Sequence, residues 1–189
     1  MTLPFAIPTL TTERLTLRAP REDDFAAMLA FNDSPRSVHV GGKRDRQWVW
    51  RGLLANIGHW ALRGYGFYSV DTRAGAFVGR VGVILHDGWP EPELGWHIYD
   101  GHEGRGLAFE AALAVRADYH ARISDQPLMS MVVPENQRSI ALAERLGARR
   151  ERVDPGEGKP FDTPFAVYRH PGPGTASLLH PATATGTSP

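Results

Sequence analysis

Three glycines and an arginine stand at the mouth of a helical run: Gly101, Gly104, Arg105 and Gly106, within "YDGHEGRGLAFEAALAV" from Tyr99 to Val115. A turn needs one or two glycines. Three of them before a helix leave backbone N–H groups open to an anion, because a helix N-terminus carries unpaired donors and the positive end of its dipole. Arg105 adds charge. On spacing alone the same residues also suit a plain strand-to-helix turn. No Lys-Ser/Thr follows Gly106, so the loop is not a P-loop, and GRGLAF lacks the third glycine or alanine of a dinucleotide fingerprint.

Titratable groups lie on the run leading in. Glu93 opens "ELGWHIY", and His97 falls four residues later, on the same face if the period is two. Imidazole titrates near neutrality, whereas a carboxylate does so only where burial raises it. His97 equally suits a half-buried structural place. Asn136 and Ser139 in "NQRSIALAERLG" suit the N-cap and N3 positions of a helix. The eight histidines show no metal-ligand spacing with Asp or Glu, so no metal is expected.

Elements that could position these groups follow from hydrophobic period. "ERLTLRA" alternates and reads as a strand, and "REDDFAAMLAF" as a helix with acid in its first turn. A second helix is expected from about Lys43 to Arg63, with Trp50, Leu53, Leu54, Ile57 and Ala61 as its apolar set and Gly64 as its stop. Trp48, Trp50 and Trp60 on this run are expected in the core. "GFYSV", "AFVGRVGVIL" and "ELGWHIY" read as strands, with Gly79 and Gly82 marking a bulge or a close backbone approach. The helix Gly106–Arg122, the strand "LMSMVV", the helix at Asn136 and two closing strands complete a mixed α/β layer with one β-α-β crossover.

Bulk properties narrow the function. The 189 residues fit one domain with tails: a lead-in over 1–10, a domain over 11–170 and a flexible tail over 171–189, rich in Pro, Gly, Thr and Ser. Lys+Arg and Asp+Glu both number 21, which argues against a general nucleic-acid binder. There is no cysteine, which excludes disulfides, thiolate metal sites and a cysteine nucleophile. The N-terminus lacks the features of a signal peptide and no window is long enough to span a membrane, so a cytoplasmic protein without a membrane partner is expected.

Three stretches, "LTTERLTLRAPREDDFAAML", "PELGWHIYDGHEGRGLAFEAALAV" and "VVPENQRSIALAERLGARRER", together resemble the GNAT superfamily of N-acetyltransferases, most closely the branch of ribosomal-protein N-terminal acetyltransferases (RimJ/RimL-like). The resemblance spans about Leu10 to Arg169. It implies a mostly antiparallel mixed sheet of about seven strands flanked by about four helices, with the family's fourth and fifth strands splayed around a bulge. It implies acetyl-CoA as co-substrate and direct transfer to a primary amine, either a small molecule or a protein N-terminus. The alternative is a non-catalytic acyl-CoA-binding regulatory module. Exposed strand edges and family habit are compatible with a homodimer.

Carried over by motif, Glu103, Gly104, Arg105, Gly106, Leu107 and Ala108 cradle the pyrophosphate. Glu103 departs from the usual Gln or Arg and sets a carboxylate beside a diphosphate, with His102 or Arg105 as expected compensation. Trp96, Ile98 and Tyr99 flank the pantetheine arm, Ile98 through its backbone amide. Glu93 is the leading base, with His97 as its rival. Asn136 contacts the pantetheine, and Ser139 binds near the thioester and protonates the departing thiolate. Asp87, Glu91 and Glu93 are expected to attract a cationic amine.

Overall fold

Alternation at Leu15 and Leu17 buries both side chains completely and turns them into the core of a sheet. The computed structural model describes residues 6–156 and 163–173, so 174–189 of the expected tail lie outside the described residues. Eight strands form one sheet: β1 (Leu10–Thr11), β2 (Leu15–Arg18), β3 (Phe67–Thr72), β4 (Phe77–Ile84), β5 (Glu93–Ile98), β6 (Met129–Val132), β7 (Arg149–Asp154) and β8 (Phe165–Arg169). Their order is β1-β2-β3-β4-β5-β6-β8-β7. The count exceeds the expected seven because Leu10 and Thr11, at the edge of the supposed lead-in, pair with Leu17 and Thr16.

Four α-helices cover the sheet: α1 (Phe25–Asp33), α2 (Arg46–Arg63), α3 (Leu107–Arg122) and α4 (Gln137–Arg145). The helix expected from Arg21 begins instead as a 3-10 turn over Glu22–Asp24. Asp24 turns inward there, accepting from the Arg21 N–H at 2.8 Å and from Arg18. On α2, Asp45 caps the Trp48 N–H, so the helix starts after Lys43. Its buried stripe is Val49, Leu53, Asn56 and Trp60, one position out of step with the expected set. Asn56 explains the shift: it exchanges two hydrogen bonds with the Phe67 backbone, so an amide holds a core position. Trp60 is core, but Trp48 is 54% exposed, against expectation.

On one face of the sheet α3 packs Ala111, Ala112, Val115 and Tyr119 against Val81, Val83 and Leu94. On the other face α1 and α2 pack Met28, Val49 and Leu53 against Tyr99. Both expected roles of the β4 glycines hold: the β3–β4 register shifts beside Gly79, and a Cβ on Gly82 would lie 2.3 Å from the Phe67 Cα.

Among the described residues the sheet has one parallel contact. β5 meets β6 at a single residue pair, Glu93 with Met129. Beyond it the two strands separate. The splay opens without the expected bulge in its leading strand, since β4 and β5 stay in unbroken register from Gly79–Ile98 to Ile84–Glu93.

Candidate active site

The loop before α3 presents its amides. Gly104 and Gly106 take positive φ, 71° and 75°, a conformation that side chains resist. Gly106 is the N-cap of α3, and the first helical N–H groups, from Leu107 and Ala108, have no intrahelical acceptor. The N–H groups of Gly104, Arg105 and Gly106 donate to no described backbone oxygen. A brace from the first strands fixes this shape. Glu110, in the first turn of α3, accepts from Thr12, the Arg14 N–H and the Arg14 guanidinium, and Arg14 also donates to the Arg105 carbonyl at 2.8 Å.

Glu103 does not confront a ligand as a bare charge. Arg36, from the 3-10 segment Pro35–Val40, lies 3.0 Å from its carboxylate, and Arg138 of α4 lies 4.0 Å away. Hydrogen bonding from its own backbone amide, assisted by Arg36, holds the carboxyl below the ordinary range. The compensation expected from His102 or Arg105 therefore comes from elsewhere in the chain.

The splay offers a second row of donors. The Tyr99 N–H bonds the Val78 carbonyl at 2.9 Å, toward β4. Strand alternation then turns the backbone amides of Trp96 and Ile98 the other way, into the gap. Across the gap the Trp96 indole donates to the Ser139 hydroxyl at 3.1 Å. Asn136 caps α4 by accepting from the Ser139 N–H at 3.2 Å. Because Ser139 accepts from Trp96, its own proton remains free to donate.

At the closed end of the gap, Glu93 is buried and accepts from the Met131 N–H at 2.9 Å. Its other oxygen meets no described donor. Burial pushes its carboxyl up to about 8, with the single Met131 N–H pulling the other way. Beside it the Ser130 hydroxyl donates to the Leu94 carbonyl at 2.5 Å and meets His170 at 2.9 Å. These polar contacts stitch β5 to β6 where the ladder ends.

His97 shares the face of Glu93, as the unbroken register requires. Its Nδ1 accepts from Arg80 at 2.9 Å. Burial first, then Arg80 and Arg36, drive the imidazole well below its ordinary pKa, so it stays neutral with Nδ1 already occupied. That chemistry suits a fixed donor better than a base. Glu91, expected to attract an amine, is instead gripped by Arg169, with one contact at 2.7 Å. Sequence reasoning missed Arg14, Glu110, Arg36 and Arg80. Glu110 in the first turn of α3 carried a faint signal, as acid there favours the helix dipole.

Similarities to known proteins agree with this geometry. Residues 14–149 match the acetyltransferase (GNAT) domain family. An acetyltransferase of Agrobacterium tumefaciens has 40% identity, a TM-score of 0.77, and coverage of 90% of this chain and 98% of its own. YkkB of Bacillus subtilis is 29% identical over 84% of this chain and 93% of its own length. A ribosomal L7/L12 alpha-N-protein acetyltransferase, RimL, in complex with coenzyme A shares the fold at 17% identity, with a TM-score of 0.71 over 87% of this chain and 96% of that one. Among the described residues no cluster of side chains could hold a metal ion, and no helix is long and apolar enough to cross a membrane.

Proposed function

The chain belongs to the GNAT acetyltransferase family, an N-acetyltransferase using acetyl-CoA, and on that premise we propose how its residues bind the co-substrate and move the proton. The pyrophosphate rests on the open amides of Gly104 to Ala108, with Arg105 beside it. The observation that carries this reading is their conjunction with the splay: free donors at the N-terminus of α3 lead directly into a gap lined by the amides of Ile98 and Trp96. The co-substrate supplies an acetyl thioester at the far end of that gap. Asn136, on the opposite wall, borders the arm, as do Trp96 and Tyr99.

Transfer is direct. The amine nitrogen forms its bond to the acetyl carbon, the carbon–sulfur bond breaks, one proton leaves the amine and one reaches the thiolate. Glu93 takes the amine proton, directly or through a water, because its raised pKa and free oxygen fit a base working near neutrality. His97 is the weaker candidate, with its acceptor nitrogen held by Arg80. Ser139 gives its free proton to the thiolate. The acceptor is a primary amine, of a small molecule or of a protein N-terminus such as the one the name of RimL describes. A homodimer is compatible with this reading, which does not require one.

The alternative of a non-catalytic acyl-CoA module leaned on Glu103, and Arg36 meets that charge. Two variants test the proposal together. Gly106→Trp fills the anion cradle and is expected to abolish acetyl-CoA binding, measured by calorimetry alongside circular dichroism as a check on folding. Glu93→Gln keeps the Met131 contact and is expected to retain affinity while turnover falls on the order of 100-fold. Unchanged affinity in the first variant removes the cradle, and an unchanged rate in the second removes the base.

A further inference from the structure

Arg80 is a half-buried cation with no acid partner. Its Nε–H donates to His97 and its guanidinium lies 5.0 Å from the Phe67 ring centroid. Its two terminal nitrogens form no hydrogen bond or ion pair with any described residue. Other buried arginines differ. Arg18 meets two carboxylates, and Arg116 donates to the Leu146 carbonyl at the end of α4. Leaving a guanidinium's donors unmet away from bulk water costs free energy that a ligand would return.

Those donors border a cavity of about 70 Å³ between α1, α2 and strands β4 and β5. Its walls are largely apolar, from Met28, Phe31, Trp48 and Val49. Apart from the Ser37 hydroxyl, whose proton goes to the Ser34 carbonyl, its unspent side-chain groups are donors. Because His97 Nδ1 accepts from Arg80, the ring proton sits on Nε2, which has no described partner. Tyr99 lines the same space, and burial pushes its phenol up to about 12, so it keeps its proton. No Asp or Glu lines the cavity. A site made of donors around one cation recognises an anion.

We infer that this cavity is a carboxylate receptor, and that the acceptor is a small amine bearing a carboxylate, an amino acid or a close analogue. The inference rests on the acetyl-transfer reading above. Charge selects the class: one unmatched cation suits one negative charge, and the guanidinium fork suits the planar carboxylate. A phosphate ester would call for a second cation, but Arg36 and Arg44, each set against a lining ring, do not themselves line the cavity, and Arg36 is spent on Asp100 and Glu103. Position agrees as well. Arg80 pairs with His97 in the ladder, so it stands one strand spacing, about 5 Å, from β5, whose far edge opens on the gap. On this inference the carboxylate rests on Arg80 and the amine points across β5 toward the thioester. Gly95 lies between, on the same face, where a Cβ would meet the Phe67 ring at 2.9 Å, so the ring packs directly on bare backbone there.

The test is thiol release from acetyl-CoA by the full chain, offered the proteinogenic amino acids, their amides, the decarboxylated amines and short peptides. Turnover is expected with carboxylate-bearing amines, with kcat/KM for the matching amide lower by about 100-fold or more. Arg80→Gln is expected to collapse the acid-to-amide ratio toward one while acetyl-CoA affinity, measured separately, persists. Arg80→Lys, which keeps the charge but not the fork, should fall between. Equal turnover of acid and amide, or turnover of peptides or decarboxylated amines alone, overturns the inference. So does the absence of turnover with every carboxylate-bearing amine in protein that binds acetyl-CoA; that result spares the cofactor reading. Protein that binds no acetyl-CoA overturns both.

Discussion

Arg18 and Arg80 belong to one cross-strand row. Arg18 pairs with Ser69, Ser69 with Arg80, and Arg80 with His97, so all four point to the same face of the sheet. At one end the charge is fully answered. Arg18 contacts Asp24 at 2.7 Å and Asp71 at 2.6 Å, and Ser69 donates to Asp24 at 2.6 Å. At the other end Arg80 has an imidazole and an aromatic ring. Charge is alike at the two ends, Arg18 being buried and Arg80 half-buried; the number of partners is not alike. A completed ion cluster holds β2, β3 and α1 together, whereas an incomplete one holds a place for something the chain does not contain.

Stability should separate the two arginines most sharply. Arg18→Met leaves Asp24 and Asp71 with buried, uncompensated charge, and is expected to cost about 3–5 kcal/mol in urea unfolding. Arg80→Met removes an unpaired cation from an apolar wall, and is expected to change stability by less than about 1 kcal/mol in either direction. A comparable loss in both variants would mean that Arg80 is structural, and the contrast would disappear.

Carboxylates on this face show the same division. Burial alone would raise the Asp24 carboxyl, but Arg18, Ser69 and the Arg21 N–H together hold it below the ordinary range. Glu93 has one backbone donor and rises to about 8. The two groups therefore act on stability in opposite directions. A depressed Asp24 contributes stability above the unfolded-state value, lost as pH falls through its folded pKa. A raised Glu93 binds its proton more tightly when folded, so its contribution weakens as pH climbs from about 4.5 to about 8, by at most about 1.4 kcal/mol per unit. Glu93→Gln should remove that decline, and wild-type turnover should climb with pH through about 8 as the base ionises. A flat pH–rate profile over that range would take Glu93 out of the proton transfer.

How much of this was legible depended on how far apart in the chain the partners lie. The loop from Gly101 to Gly106, the cap at Asn136 and the faces of α3 are local patterns, and the structure follows them. The α2 face was misread because Asn56, a polar residue, is buried by a bond to Phe67 that no period announces. Glu103 looked like a defect because its answering cation, Arg36, sits in a segment remote in sequence. Arg80 carried no signal at all. Its meaning lies in what fails to surround it, which only the assembled sheet and helices reveal.

The smallest expected effect concerns the imidazole at the end of the row. His97 is held well below its ordinary pKa chiefly by burial, and then by Arg80 and Arg36. Arg80→Gln removes one of these causes and leaves burial, so the pKa should rise without reaching that of a free histidine. Titration of the His97 ring by NMR measures this, with Arg36→Gln expected to give a smaller rise because Arg36 is partly neutralised by Asp100 and Glu103. Adding a carboxylate-bearing amine to the wild type should move the ring in the same direction, since an anion beside the guanidinium offsets the charge that suppresses protonation. If the amide analogue moves it equally, the anion is not seated on Arg80. The open end of the row would then be a gap in packing rather than a receptor.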